Sequence, residues 1–123
     1  MDFFSNCCPA LFGNRVSSEQ SKTLVCANEF LMSLENIKHI VLERDARVMG
    51  ALDNTVSKTE ALKESVKKGH LLNYCIDNVA ASSDYFFHII NDGTNNPAII
   101  HAQNCSDSLI EAAKFVRPAL VSR

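Results

Sequence analysis

The chain contains no tryptophan, only four glycines and three prolines. So little punctuation excludes a fold built from many short elements and tight turns, and it leaves room for long ones. No alternating run marks a half-buried strand. No stretch approaches the roughly 18 apolar residues that a membrane-spanning helix needs. No excess of base exists either. Fourteen acids stand against twelve bases, a net charge of −2, and this argues against a nucleic-acid binder. The N-terminus begins with Asp2 and its apolar stretch is broken by Pro9, which is not the pattern of a secretory signal. Glycine-rich phosphate loops and Gly-x-Ser-x-Gly elbows are missing.

What is present is ordinary globular material of 123 residues, 46% hydrophobic and 21% charged. That length suits one domain. The five cysteines are odd in number, and their spacing forms no disulfide ladder. Cys26, Cys75 and Cys105 each sit inside an apolar helical run and read as buried free thiols. Reduced thiols suit a cytoplasmic protein, here with the option of a place at the cytoplasmic face of a membrane.

Residues 1–16 stand apart from residues 17–123, which read as a single helical domain. Phe3, Phe4, Cys7, Cys8, Leu11 and Phe12 would share one face of a helix, although Pro9 weakens a continuous one. Gly13-Asn14 reads as a stop. Rings and thiols in such density are costly to leave in water, at about 1.5–3 kcal/mol for each large side chain. They fold back over the bundle, meet a membrane, or fill a partner's groove. Cys7 and Cys8 are also possible acylation sites.

The rest of the chain shows helical periodicity. A capping-box pattern at Ser17-Ser18-Glu19-Gln20 precedes Leu24, Ala27, Leu31, Leu34, Ile37, Val41, Val48 and Leu52, spaced by threes, fours and one seven. Gly50 and Asp53-Asn54 mark the expected end of this first run. A second capping box, Ser57-Lys58-Thr59-Glu60, opens a stripe through Val56, Leu62, Val66, Leu72, Ile76, Val79, Phe86 and Ile90, with a gap at Gly69. Asn91–Asn96 is the clearest loop, and Asn96-Pro97 is a cap followed by the favoured first-turn proline. A short helix over 98–103, a break at 104–107 and a third capping box at Ser108–Glu111 complete the reading. The expected fold is all-α: a long antiparallel helical hairpin plus one or two shorter helices, a three- to four-helix bundle with an apolar N-terminal tail. A helix of about 35 residues would be roughly 50 Å long. A compact domain of this size has a radius of gyration near only ~14 Å. Either the long helices break, or an elongated hairpin needs partners to cover its stripe.

The polar residues offer little chemistry. His39, His70, His88 and His101 include no pair three or four apart, so they do not converge as helical metal ligands. His70 and Cys75, five residues apart, fall on different helix faces. No catalytic residue, metal site or cofactor is implied, and the chain reads as a non-enzyme. Lys63, Lys67 and Lys68, with Glu64 interleaved, form a solvated face that could add electrostatic contact with acidic lipid.

The order of parts resembles the ESCRT-III (charged multivesicular body protein) helical core. Ala10-Leu11-Phe12-Gly13 closes the N-terminal segment, Leu34-Glu35-Asn36-Ile37 lies in the first helix, and Glu60-Ala61-Leu62-Lys63 with Lys67-Lys68 is similar to the family's Ala-Leu and Lys-rich stretch. Asn91–Ala102 falls where that family's second helix continues, and the chain ends at Arg123 without the family's acidic region. The resemblance implies a filament subunit on membranes that lacks a recruitment tail. The expected function is therefore a non-enzymatic assembly protein. It would bind copies of itself or a helical partner through its stripes, with Phe3, Phe4, Leu11 and Phe12 for membrane or partner contact. The alternative is a compact monomeric bundle that binds a small molecule or inhibits another protein.

Overall fold

The computed structural model describes residues 18–42, 46–69, 73–90 and 96–121. Residues 1–17 lie outside that set, and with them the apolar N-terminal segment. The described residues form α1 (Ser18–Asn36), α2 (Lys38–Leu42), α3 (Ala46–Lys67), α4 (Asn73–Ile90) and α5 (Pro97–Val121). No strand occurs among them.

Both long runs break, which decides between the elongated hairpin and the compact bundle. At Ile37 the ladder loosens: its N–H is shared between Ser33 O and Leu34 O, each at 3.3 Å. The stripe nevertheless continues, because Ile37 and Val41 are both fully buried. α2 runs to Leu42 and α3 begins at Ala46, and the Gln20–Val66 contact shows that α3 runs back along α1. Gly50 does not end a helix, as its sequence context predicts, but lies inside α3. Ser57–Glu60 likewise falls mid-helix rather than at a cap. The reason is packing. Val48, Leu52, Thr55, Thr59, Leu62 and Val66 are buried and step by fours and threes straight across both signals. That burial outweighs the cost of about 1 kcal/mol for a helical glycine.

The second run stops at Gly69, where the sequence shows a gap. Its φ is +70°, a left-handed conformation in which a side chain would be strained. Its N–H donates to Val66 O at 3.0 Å, giving α3 a glycine C-cap. Gln20 Nε2 donates to the same carbonyl at 3.2 Å, tying the start of α1 to the end of α3. At α5 the predicted cap forms: Asn96 Oδ1 accepts from the Ala98 N–H at 2.9 Å, one residue before Pro97. The predicted break at 104–107 does not occur, and Ser108 does not start a new helix. Ala102, Cys105, Ser106 and Leu109 are all buried on one continuous stripe, so tertiary burial overrides the weak helix preference of Asn104 and Asp107.

The contacts define an up-down-up-down ring in the order α1, α3, α4, α5. The start of α1 meets the end of α3 through Gln20 and Val66. Ser65 Oγ near the end of α3 meets Cys75 Sγ near the start of α4 at 3.4 Å. Ser18 and Lys22 share a groove with Ala112 and Phe115 late in α5, so the first and last helices close the ring. α1 packs chiefly on α5, and α3 chiefly on α4. Phe30, Leu34, Ile37, Leu62, Val79, Phe86, Ile90 and Leu109 have no exposed surface. The Phe86 and Phe87 rings meet edge to face at 5.1 Å.

The core also holds hydroxyls. Thr55 Oγ1 donates within α3 to Ala51 O at 2.9 Å and lies 3.2 Å from Ser82 O on α4. Thr23 and Thr59 bond back one turn to Glu19 O and Thr55 O, both at 2.8 Å. Ser83 Oγ is buried without a partner. Urea unfolding should separate these contributions. Phe30→Ala is expected to lose about 3–5 kcal/mol through the cavity it leaves. Ser83→Ala should be neutral or stabilising by up to about 1 kcal/mol, because it removes an unsatisfied hydroxyl.

Candidate functional site

Phe3, Phe4, Cys7, Cys8, Leu11 and Phe12 lie outside the described residues. Lys63 and Lys67 lie in the last two turns of α3, and Lys68 follows directly after it. Lys63 is half-buried and Lys67 and Lys68 are exposed. Lys67 Nζ sits 3.5 Å from Glu64 Oε2, a pair in open solvent that contributes about 0–1 kcal/mol. Cations here also complement the negative end of the helix.

The topology gathers distant features at this end of the bundle. The end of α3 adjoins Gln20 at the start of α1, the helix to which the N-terminal segment is attached. Phe115, on α5, stands against Ser18, Glu19 and Lys22 across a groove of about 220 Å3. It is 69% exposed, the highest value among the large apolar side chains described. Tyr74, at the start of α4 next to Cys75, is 61% exposed at the same end. No local sequence signal marks Phe115 or Tyr74 as outward-facing. Phe115 adjoins Val116 and the buried Ala112–Ala113 pair in one apolar-rich run, and only the phase of α5 against α1 turns it outward.

Two thiols, Cys26 and Cys105, lie midway along the α1/α5 seam, and Cys75 stands apart where α3 meets α4. Cys26, Cys75 and Cys105 are free, as expected. Cys75 and Cys105 are buried, while Cys26 keeps partial exposure. His101 Nε2 is 3.6 Å from Cys105 Sγ, one helical turn away. The sequence holds this His-x-x-x-Cys spacing, which puts the two side chains on one face of α5. Burial pushes the Cys105 thiol up; Ser33 opposes this by hydrogen bonding, and Glu29 adds to it. Burial, then Glu29, also pushes Cys26 up, against a smaller pull from Lys22. A thiol held neutral is a weak nucleophile. Among the described residues, no three His, Cys, Asp or Glu side chains are placed to share a metal ion.

At the other end, α4 and α5 border a groove of about 310 Å3. Asp84, Phe87 and His88 line one side, and Gln103, Ser106 and Asp107 the other. Of these, only His88 carried a sequence hypothesis, as a metal ligand. The remaining residues are two helical turns drawn together by tertiary contact, with no sequence motif to announce them.

Comparison with protein-family models, curated proteins and solved structures finds no match.

The thiol environment has two measurable consequences. Maleimide labelling of the folded chain should modify Cys26 well before Cys75 and Cys105, and denaturant should equalise the three. Cys26 and Cys105 release their protons at higher pH when folded than when unfolded. The stability this confers is complete below the ordinary thiol pKa and is lost as pH rises through the raised, folded values. The melting temperature should therefore fall less steeply above about pH 9 in Cys26→Ser/Cys105→Ser than in the parent, as followed by circular dichroism.

Proposed function

We propose that the chain is a non-enzymatic interaction protein, a closed helical bundle that presents one end to a membrane surface or a protein partner. The observation supporting this reading is the convergence at that end. The attachment point of the apolar N-terminal segment, the α3 lysines and the outward Phe115 and Tyr74 come from four separate stretches of sequence. Phe3, Phe4, Leu11 and Phe12 supply the apolar contact in this reading, extended by Phe115. Lys68 and Lys63 supply auxiliary attraction, each unpaired base near an acidic surface contributing about 1 kcal/mol. Acylation of Cys7 or Cys8 would strengthen the same contact.

The helix stripes themselves are occupied within the bundle, where Phe30, Leu34, Leu62 and Phe86 are wholly buried. Self-association therefore runs through the outward apolar side chains rather than through the stripes. Filament formation of the kind that the ESCRT-III resemblance implies is one form it could take.

Liposome flotation and light scattering test this reading. Phe3→Ser/Phe4→Ser and Phe115→Ser should each reduce recovery with acidic vesicles or lower the oligomer mass, with helical content unchanged. If both variants float and assemble like the parent, the contact end is misassigned.

A further inference from the structure

The start of α1 and the late part of α5 border a groove whose walls are fixed and whose largest side chain is uncovered. Ser18, Glu19 and Lys22 form one wall and Ala112 and Phe115 the other, around about 220 Å3. That is below the range of pockets that hold small-molecule ligands, and it suits one or two apolar side chains. Gln20 ties the first turn of α1 to Val66 O. Thr23 next to Lys22, and Ala113 and Val116 on either side of the Phe115 turn, are buried. Phe115 itself remains 69% exposed. An aromatic ring on a fixed wall has apolar surface left to bury, and a second apolar side chain laid over it would bury both.

The chain that lies beyond the groove, and the point where it joins, select the occupant. The described residues begin at Ser18, and Ser18 is part of the groove wall. Residues 1–17 precede it, and their apolar side chains nearest to the junction are Leu11 and Phe12. Six Cα steps separate Phe12 from Ser18, a reach of about 20 Å at most. To enter the groove the chain must reverse within those steps, and Gly13-Asn14 are residue types that permit a reversal. Charge agrees with the placement. Glu19 on the groove has no ion-pair partner among the described residues, and Arg15 is the only basic side chain of residues 1–17. Tethering adds to it: on so short a linker the rings are held at an effective concentration on the order of millimolar, which a free partner does not reach. We propose that Leu11 and Phe12 seat over Phe115 in the α1/α5 groove of their own chain and so pin the N-terminal segment to the contact end. Phe3 and Phe4 are then left for the membrane or partner contact. The inference shares its segment with the proposed function but does not rest on it, since the docking holds in the free protein.

The chain contains no tryptophan, so Phe115→Trp puts a single fluorescent reporter on the groove. In the full chain without lipid, acrylamide should quench that reporter several-fold less than in Phe115→Trp/Leu11→Ser/Phe12→Ser, and its emission should lie further to the blue. Phe115→Trp/Phe3→Ser/Phe4→Ser should behave like Phe115→Trp alone. Equal quenching with and without Leu11 and Phe12 would overturn the proposal. Protection that disappears on dilution would overturn it too, by giving the groove to the segment of a second copy. Circular dichroism should show the same helical content in every variant. If the triple variant loses helix, trypsin supplies the second measurement, because Arg15 is the only tryptic site within residues 1–17. Phe115→Ser should speed cleavage after Arg15 several-fold over the parent, and equal rates would sink the docking. Reporter protection without vesicle flotation would remove the membrane reading and leave the docked segment standing.

Discussion

The closure of α1 against α5 is the contact on which the rest of the bundle depends. The other pairings among the four long helices join helices that follow one another along the chain, but this one joins the first to the last, with Ser33 and Cys105 seventy-two positions apart. The long loop it closes carries an entropic cost, which grows only slowly with length. Burial offsets it. Ala27, Phe30 and Leu34 on α1 and Ala102, Leu109, Ala113 and Val116 on α5 are wholly or almost wholly removed from water. Small residues on both sides of the seam let the backbones approach closely. The same closure brings Phe115 over the first turn of α1 and sets Cys105 beside Ser33.

Two glycines show how far local reading reaches. Gly50 and Gly69 look alike in sequence, each interrupting an apolar periodicity. Gly50 sits inside α3 with nothing near the place a Cβ would occupy. Gly69 adopts a positive φ and caps the same helix. What separates them is the phase of the flanking stripe. Val48, Ala51 and Leu52 stay in register with Thr55 and Leu62 across Gly50, so one face remains buried throughout. Beyond Gly69, the buried Cys75 and Ile76 belong to α4, which runs back along α3, as the Ser65–Cys75 contact shows. Continuation of the helix would have carried Cys75 and Ile76 away from the core. The Asn104–Asp107 segment repeats the lesson in reverse, since burial of Cys105 and Ser106 holds it helical.

The surfaces were less legible than the core. Helical periodicity marks which side chains turn inward, because burial must repeat every three or four residues. It is silent on which outward residues of different helices end up side by side. Lys63, Lys67 and Lys68 could be seen as a cationic face from spacing alone. Their proximity to the start of α1, to Tyr74 and to Phe115 follows from chain reversal. The α4/α5 groove is the extreme case: Asp84 and Asp107 are unremarkable exposed acids until α4 and α5 pack together and place them on one groove.

By itself, the sequence determined the all-helical class, the inward faces, the reduced and mostly buried thiols, and the Asn96-Pro97 start of the last helix. These depend on periodicity, composition and local hydrogen bonding, which act within a few residues. Only the tertiary structure decided where the two long runs break, which capping signals are used, and which polar and apolar side chains share an end or a groove. Those outcomes turn on the competition between local propensities of about a kilocalorie and the larger free energy of burying a whole face, and that burial exists only once the helices have neighbours.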